Sequence, residues 1–367
     1  MELTHFLRYA LALIPMPIIE TPIIIGLVLF SLSWLRRNPW VSLPRDARRR
    51  SVLAGVGFWG AIAIAAVAGT VGCIAAFSGY EPSGVAGWWR RPAPMAAAAL
   101  VIGIAAMLLA RHPLPAPGER AISPRRSATA FAPKGRLWLL LGAAALLGIT
   151  SVWQGCTTSL LPNGAQMVGR PTENGGTLIT AVPDTDRVLP VGPFVDTPAG
   201  GGWLNNGVTL AVLVVLIAVL LLALSGDANR PIHARTSAPG ITEDRQRTAK
   251  LFVLLALGGV LITLGMLWMY VGYLGGWSVT LEATNENASG LPSDEVGFVS
   301  LAPSFAAFAS SLRFGGWFLQ GVGFALLLRI AVDARRSNRH ESRREEASGA
   351  AETGRTEDAL VEAETTR

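Results

Sequence analysis

Residues 251–274 read LFVLLALGGVLITLGMLWMYVGYL, without one Asp, Glu, Lys, Arg or His. As a helix rising about 1.5 Å per residue this stretch would measure about 36 Å, enough to cross a hydrocarbon core about 30 Å thick. A helix of that length on a soluble protein keeps charge on its water-facing side, and this one has no such side. It reads as a membrane span, and its neighbours repeat the pattern. The ranges 18–35, 52–77, 94–110, 137–153, 207–224 and 314–332 are comparably apolar, so the chain is predicted to cross seven times. The spans at 94–110 and 137–153 are short and are expected to run nearly upright or to borrow flanking residues.

The rest of the composition agrees. Of 367 residues, 51% are apolar and only 15% charged, with mean hydropathy +0.42, whereas a soluble domain brings about 25% charged residues to cover its surface. The fold class that follows is an all-α polytopic membrane protein, a seven-helix transmembrane bundle. A small extracytoplasmic cap, β-containing or irregular, would come from two long loops.

Positive charge sets the expected orientation. All but six of the 31 Lys and Arg fall in 36–51, 111–136, 225–250 and from Arg329 onward; the six are Arg8, Arg90, Arg91, Arg170, Arg187 and Arg313. The positive-inside rule then places the N-terminus outside and the C-terminus in the cytoplasm of a plasma membrane. The same distribution argues against nucleic acid as the partner of the net charge of +6, because the arginines flank spans instead of forming one patch. Only Lys134 and Lys250 are lysines, a bias that with abundant Ala and Gly resembles high-GC bacterial coding.

Ahead of the first span, Leu3, Phe6, Leu7, Ala10, Leu11 and Ile14 share one helical face until Pro15, which suggests an interfacial helix over 1–17. The competing reading is one tilted helix from about Ala10 to Leu35. A cleaved signal peptide is not expected, for want of a basic leader and a small-residue cleavage site. The outer loops are 78–93, 154–206 and 275–313. In the second, Thr177 to Val182 and Arg187 to Val191 flank Pro183-Asp184-Thr185-Asp186 as strand, turn and strand; the third opens on a period-2 alternation from Trp277 to Glu282. The tail 333–367 mixes Arg and Glu and is expected to be a cytoplasmic charged segment, helical at first and largely disordered beyond.

Few residues invite a chemical role. Glu20 is the acidic residue inside an apolar run, and Arg313 opens the last span at the same depth, so the two form a candidate intramembrane polar pair; the competing reading of Glu20 is an end-of-helix carboxylate at the interface. Gln320 lies among Gly315, Gly316, Gly321 and Gly323 and reads as glue between helices. Gly57, Ala61, Ala65, Gly69 and Cys73 recur every four residues along the second span, a candidate helix-packing stripe. Cys73 and Cys156 both fall on the outer side, where a disulfide is chemically permitted. Asp184 and Asp186 match the spacing of some metal-binding carboxylates, but Asp is ordinary in turns. Neither lysine and no histidine lies within a span, and no nucleotide, zinc or hydrolase motif occurs. No catalytic residue, metal or cofactor is therefore expected.

The function these features favour is a non-enzymatic subunit or scaffold of a cell-envelope membrane complex. Its partners would be the lipid bilayer and a membrane protein or further copies of itself. The alternative is a permease subunit energised by a separate protein, and a lipid-linked transferase comes third.

Overall fold

The computed structural model describes residues 16–35, 39–77, 89–111, 126–160, 166–168, 170–171, 177–178, 203–231, 238–275, 279–283, 297–301 and 306–365. The helices are α1 (Met16–Ser33), α2 (Ala47–Gly55), α3 (Ala61–Phe77), α4 (Ala93–Ala110), α5 (Lys134–Thr157), α6 (Trp203–Ala228), α7 (Ala238–Gly275) and α8 (Ala306–Thr365). A π-helical turn, Val56–Gly60, joins α2 to α3. Six helical stretches among the described residues are long and apolar enough to cross a membrane, and Thr21–Ser33 is a shorter apolar one. The molecule is an all-α, multi-pass membrane-spanning bundle.

Helix α7 forms its axis. Of its most apolar window, 89% is buried, against 33% for α5 and for α6. Helices α4, α5 and α8 pack on α7, α1 packs on α8, and α6 fills the side between α4 and α5. The outer faces show large apolar side chains, such as Ile149, Val214 and Leu222, as a lipid-bathed surface should.

What brings α8 so close to α7 is a seam of small residues. Gly258, Gly265 and Gly272 recur every seventh residue on α7, and Ala309, Gly316 and Gly323 do the same on α8. A seven-residue period keeps one stripe of a helix facing its neighbour over several turns. The two stripes meet antiparallel. A Cβ on Gly265 would stand 2.6 Å from the Gly316 oxygen, one on Gly323 3.1 Å from the Gly258 oxygen, and one on Gly272 2.6 Å from the Ala309 oxygen. Backbone thus packs on backbone, where only glycine leaves room. On another side of α8, Gly321 meets α1 at Gly26, whose own Cβ would lie 3.2 Å from the Gly321 oxygen.

Thr177–Leu178 is a strand and pairs antiparallel with Arg170–Pro171; the strand expected over Arg187 to Val191 lies outside the described residues. The stretch between the two paired strands contains Asn174-Gly175, a stronger hairpin signal than Pro183 to Asp186. The tail expected to be largely disordered continues α8 as helix to Thr365, consistent with its Ala, Glu and Arg, all strong helix formers. Elsewhere Thr158–Leu160 pairs with Gln166–Val168, and Val279–Ala283, which overlaps the alternating stretch, pairs with Gly297–Leu301. The interfacial helix proposed for 1–17 lies outside the described residues but for Met16 and Pro17, which open α1.

Candidate functional site

Gln320 is buried on α8, its side chain laid across Gly265 so that a Cβ there would be 2.7 Å from Gln320 Cγ. Its Nε2 donates to the Met269 sulfur at 3.7 Å. The second-span stripe is only partly an interface. Gly57 lies against Ala334 of α8, where an added Cβ would be 2.8 Å from the alanine Cβ, and Ala61 is buried. Ala65 is half-buried, and a Cβ on Gly69 would meet nothing within 4 Å. The buried positions are instead Ala61, Ile64, Ala68 and Val71. A strict four-residue step overshoots the 3.6-residue turn by about 40° each time, so the stripe winds off the packed face.

Of the remaining candidates, Glu20 falls where side chains lie outside the described residues, and with it the pairing to Arg313. The Arg313 guanidinium sits 5.0 Å from the Trp317 ring centroid, within range of a cation–π contact. Cys73 and Cys156 are both exposed free thiols. The permitted bond is not formed: the residues lie near the ends of α3 and α5, which are not among the extensively packed helix pairs. Asp184 and Asp186 lie outside the described residues. Among the described residues no three His, Cys, Asp or Glu come together as a metal site.

The structure gathers polar side chains at the two ends of the bundle. One end, rich in arginine, is tied by Asp333. Its Oδ2 accepts from the backbone N–H of Trp40 at 2.7 Å, from that of Val41 at 3.3 Å and from Arg329 Nε at 3.2 Å. Arg329 is only 1% exposed, and its guanidinium carbon lies 3.7 Å from the Trp34 ring centroid. Leu43 N–H donates to Ser337 Oγ at 3.1 Å, and Arg247 donates to the Leu43 oxygen at 2.7 Å. The connection after α1 is thereby fastened to α8 and α7 together.

Beside it, Arg49 is hydrogen-bonded to Asp227 and donates to Thr248 Oγ1 at 3.1 Å. Arg245 donates to the carbonyls of Ala228 and Arg230, each at 2.6 Å, and Arg230 to that of Leu109. These arginines satisfy the carbonyls left over at the C-terminal ends of α4 and α6, where the helix dipole also favours positive charge. Burial is the main influence pulling the Arg230 guanidinium below its ordinary pKa, followed by Arg49.

At the opposite end Arg91, one residue before Pro92 and α4, reaches into the bundle. Its Nη1 donates to Gln154 Oε1 of α5 at 3.2 Å and to Asn206 Oδ1 of α6 at 3.1 Å, while its guanidinium carbon lies 4.9 Å from the Tyr270 ring centroid on α7. Gln154 and Asn206 are buried, as are Ser151 and Thr209. One cation therefore ties four helices through neutral amides and a ring. Nearby, Trp268 Nε1 of α7 donates to Thr150 Oγ1 of α5 at 3.1 Å.

Chemically, both clusters supply fixed hydrogen bonds and charge, not a nucleophile beside a base. Sequence reasoning missed Arg91, Gln154 and Asn206 because they sit at span ends, where polar residues look solvated. It also missed Asp333, taken as the start of a charged tail. A visible signal was the seven-residue glycine spacing in 258–272, which marks the seam. The chain matches no protein-family model, and comparison with curated proteins and with solved structures finds no similar one.

Proposed function

We propose that the protein is a non-enzymatic subunit or scaffold of a plasma-membrane complex of the cell envelope. Its arginine-rich end would face the cytoplasm, as the positive-inside rule requires. The observation that carries this reading is where the polar side chains are used. At each end they bond helices to one another, and between the ends α7 is packed by apolar and glycine surfaces, with the Gln320 amide laid across Gly265 and bonded to Met269. A conducting or ion-coupled path calls for ionisable or coordinating groups at mid-membrane depth. Among the described residues this bundle places close helix packing there. The outer half of α3, where Gly69 faces open space, and the paired strands of the outer loops offer surfaces to a further protein.

The test is purification of the full chain from native membranes in a gentle detergent, followed by mass spectrometry of stoichiometric components. A fixed ratio to an envelope protein without ATPase activity is the expected result. A stoichiometric ATPase would replace the scaffold with a permease subunit, and a lone monomer would overturn it.

A further inference from the structure

Where α4 and α6 run side by side toward the arginine-rich end, they part to leave a groove of about 630 Å³ backed by Phe252 of α7. That is within the range of about 300–1,000 Å³ typical of small-molecule sites. Small residues create it: Gly103 and Ala106 on α4 look across at Val219 and Ala223 on α6. A Cβ on Gly103 would still stand 3.7 Å from Val219 Cγ1. Met107 and Leu222 flank the groove and are 61% and 73% exposed, so its mouth opens sideways where acyl chains run.

The lining changes character along its length. It is apolar on α4 and along α6 as far as Gly226, and turns polar at Asp227, Asn229 and Arg230. A phospholipid has the same polarity, chain inward and head at the interface. Charge agrees as well. Arg230 and Arg245 share an electrostatic neighbourhood with Arg49 and Arg126, against Asp227 and Asp46, and Asp227 is already engaged by Arg49. The excess is positive, and arginine stays protonated even when partly buried. Basic pockets between transmembrane helices are a recurring way to hold anionic head groups.

We propose that this groove holds one anionic phospholipid, with an acyl chain against Gly103, Ala106 and Val219 and the phosphate at Arg230. Nothing in this depends on the scaffold reading, since a permease or a transferase would present the same groove.

The experiment is native mass spectrometry of the full-length protein in detergent, titrated with phosphatidylglycerol or with phosphatidylcholine. One phosphatidylglycerol should be retained, about tenfold more tightly than phosphatidylcholine. Arg230→Gln and Ala106→Phe should each weaken it about tenfold, a change of about 1.4 kcal/mol. Ala106→Phe fills the groove from its lipid-open side and leaves the Arg230 bond to α4 intact, so it decides the matter if Arg230→Gln fails to fold. Retention of phosphatidylglycerol by a folded Ala106→Phe as tightly as by the parent would overturn the proposal. So would equal binding of phosphatidylcholine, or full displacement by inorganic phosphate, which would mark a site for free phosphate.

Discussion

Helices α6 and α7 are both apolar spans, and α6 is the more hydrophobic of the two. Yet α6 has 33% of its apolar window buried and α7 has 89%. In water the order would be reversed, because the greasier helix would be driven to the centre. In a bilayer lipid solvates leucine as well as protein does, so hydrophobicity gives no reason to be inside. What separates the two is side-chain size at the right spacing. Gly207 and Gly226 of α6 would meet nothing within 4 Å if given a Cβ, whereas Gly258, Gly265 and Gly272 of α7 all face backbone or side chain of α8 at close range. Burial here goes to the helix that can be approached most closely.

The largest expected effect comes from undoing the tie that fastens the connection after α1 to α8. Asp333→Ala leaves Arg329, only 1% exposed, without its carboxylate, and breaking one partner of a buried pair costs about 3–5 kcal/mol. Thermal unfolding in detergent, followed by size-exclusion chromatography, should show a large loss of folded protein; parent-like melting would mean that the glycine seam holds the bundle without this tie.

Next is a direct contrast of the two helices. Gly265→Leu must push α8 away from α7 and should cost about 3 kcal/mol, the upper end of overpacking penalties, while Leu222→Ala on the lipid face of α6 should change stability by less than about 0.5 kcal/mol. Equal melting temperatures for the pair would remove the distinction between seam and lipid face. The smallest loss expected among the packed contacts is at Trp268→Phe, which loses the hydrogen bond to Thr150. Interhelical bonds of this kind average about 0.6 kcal/mol, so a shift of only a few degrees is expected, and none would show that α5 is held to α7 by packing.

Much of the fold was legible in the sequence because the bilayer imposes length and polarity span by span. Residues 251–274 needed no tertiary information to be read as a crossing. The packing stripe on the second span was legible only in part, at Gly57 and Ala61, since counting by four ignores the drift of a 3.6-residue helix. Gln320 stood out because an amide in an apolar run has few alternatives to an interhelical contact. Arg91 and Asp333 did not stand out, because at a span boundary the same residue serves equally well in water or turned inward to tie helices.

By itself, then, the sequence determined that this chain is a multi-pass helical membrane protein, since each span must satisfy its own backbone and match the lipid one segment at a time. Only the tertiary structure decided that α7 is the axis, that α8 and α7 meet along their glycines, and that Asp333 and Arg91 tie opposite ends of the bundle. Those outcomes depend on which helix faces which. Lipid, being as apolar as the helices, leaves that choice to contact geometry between residues distant in the chain.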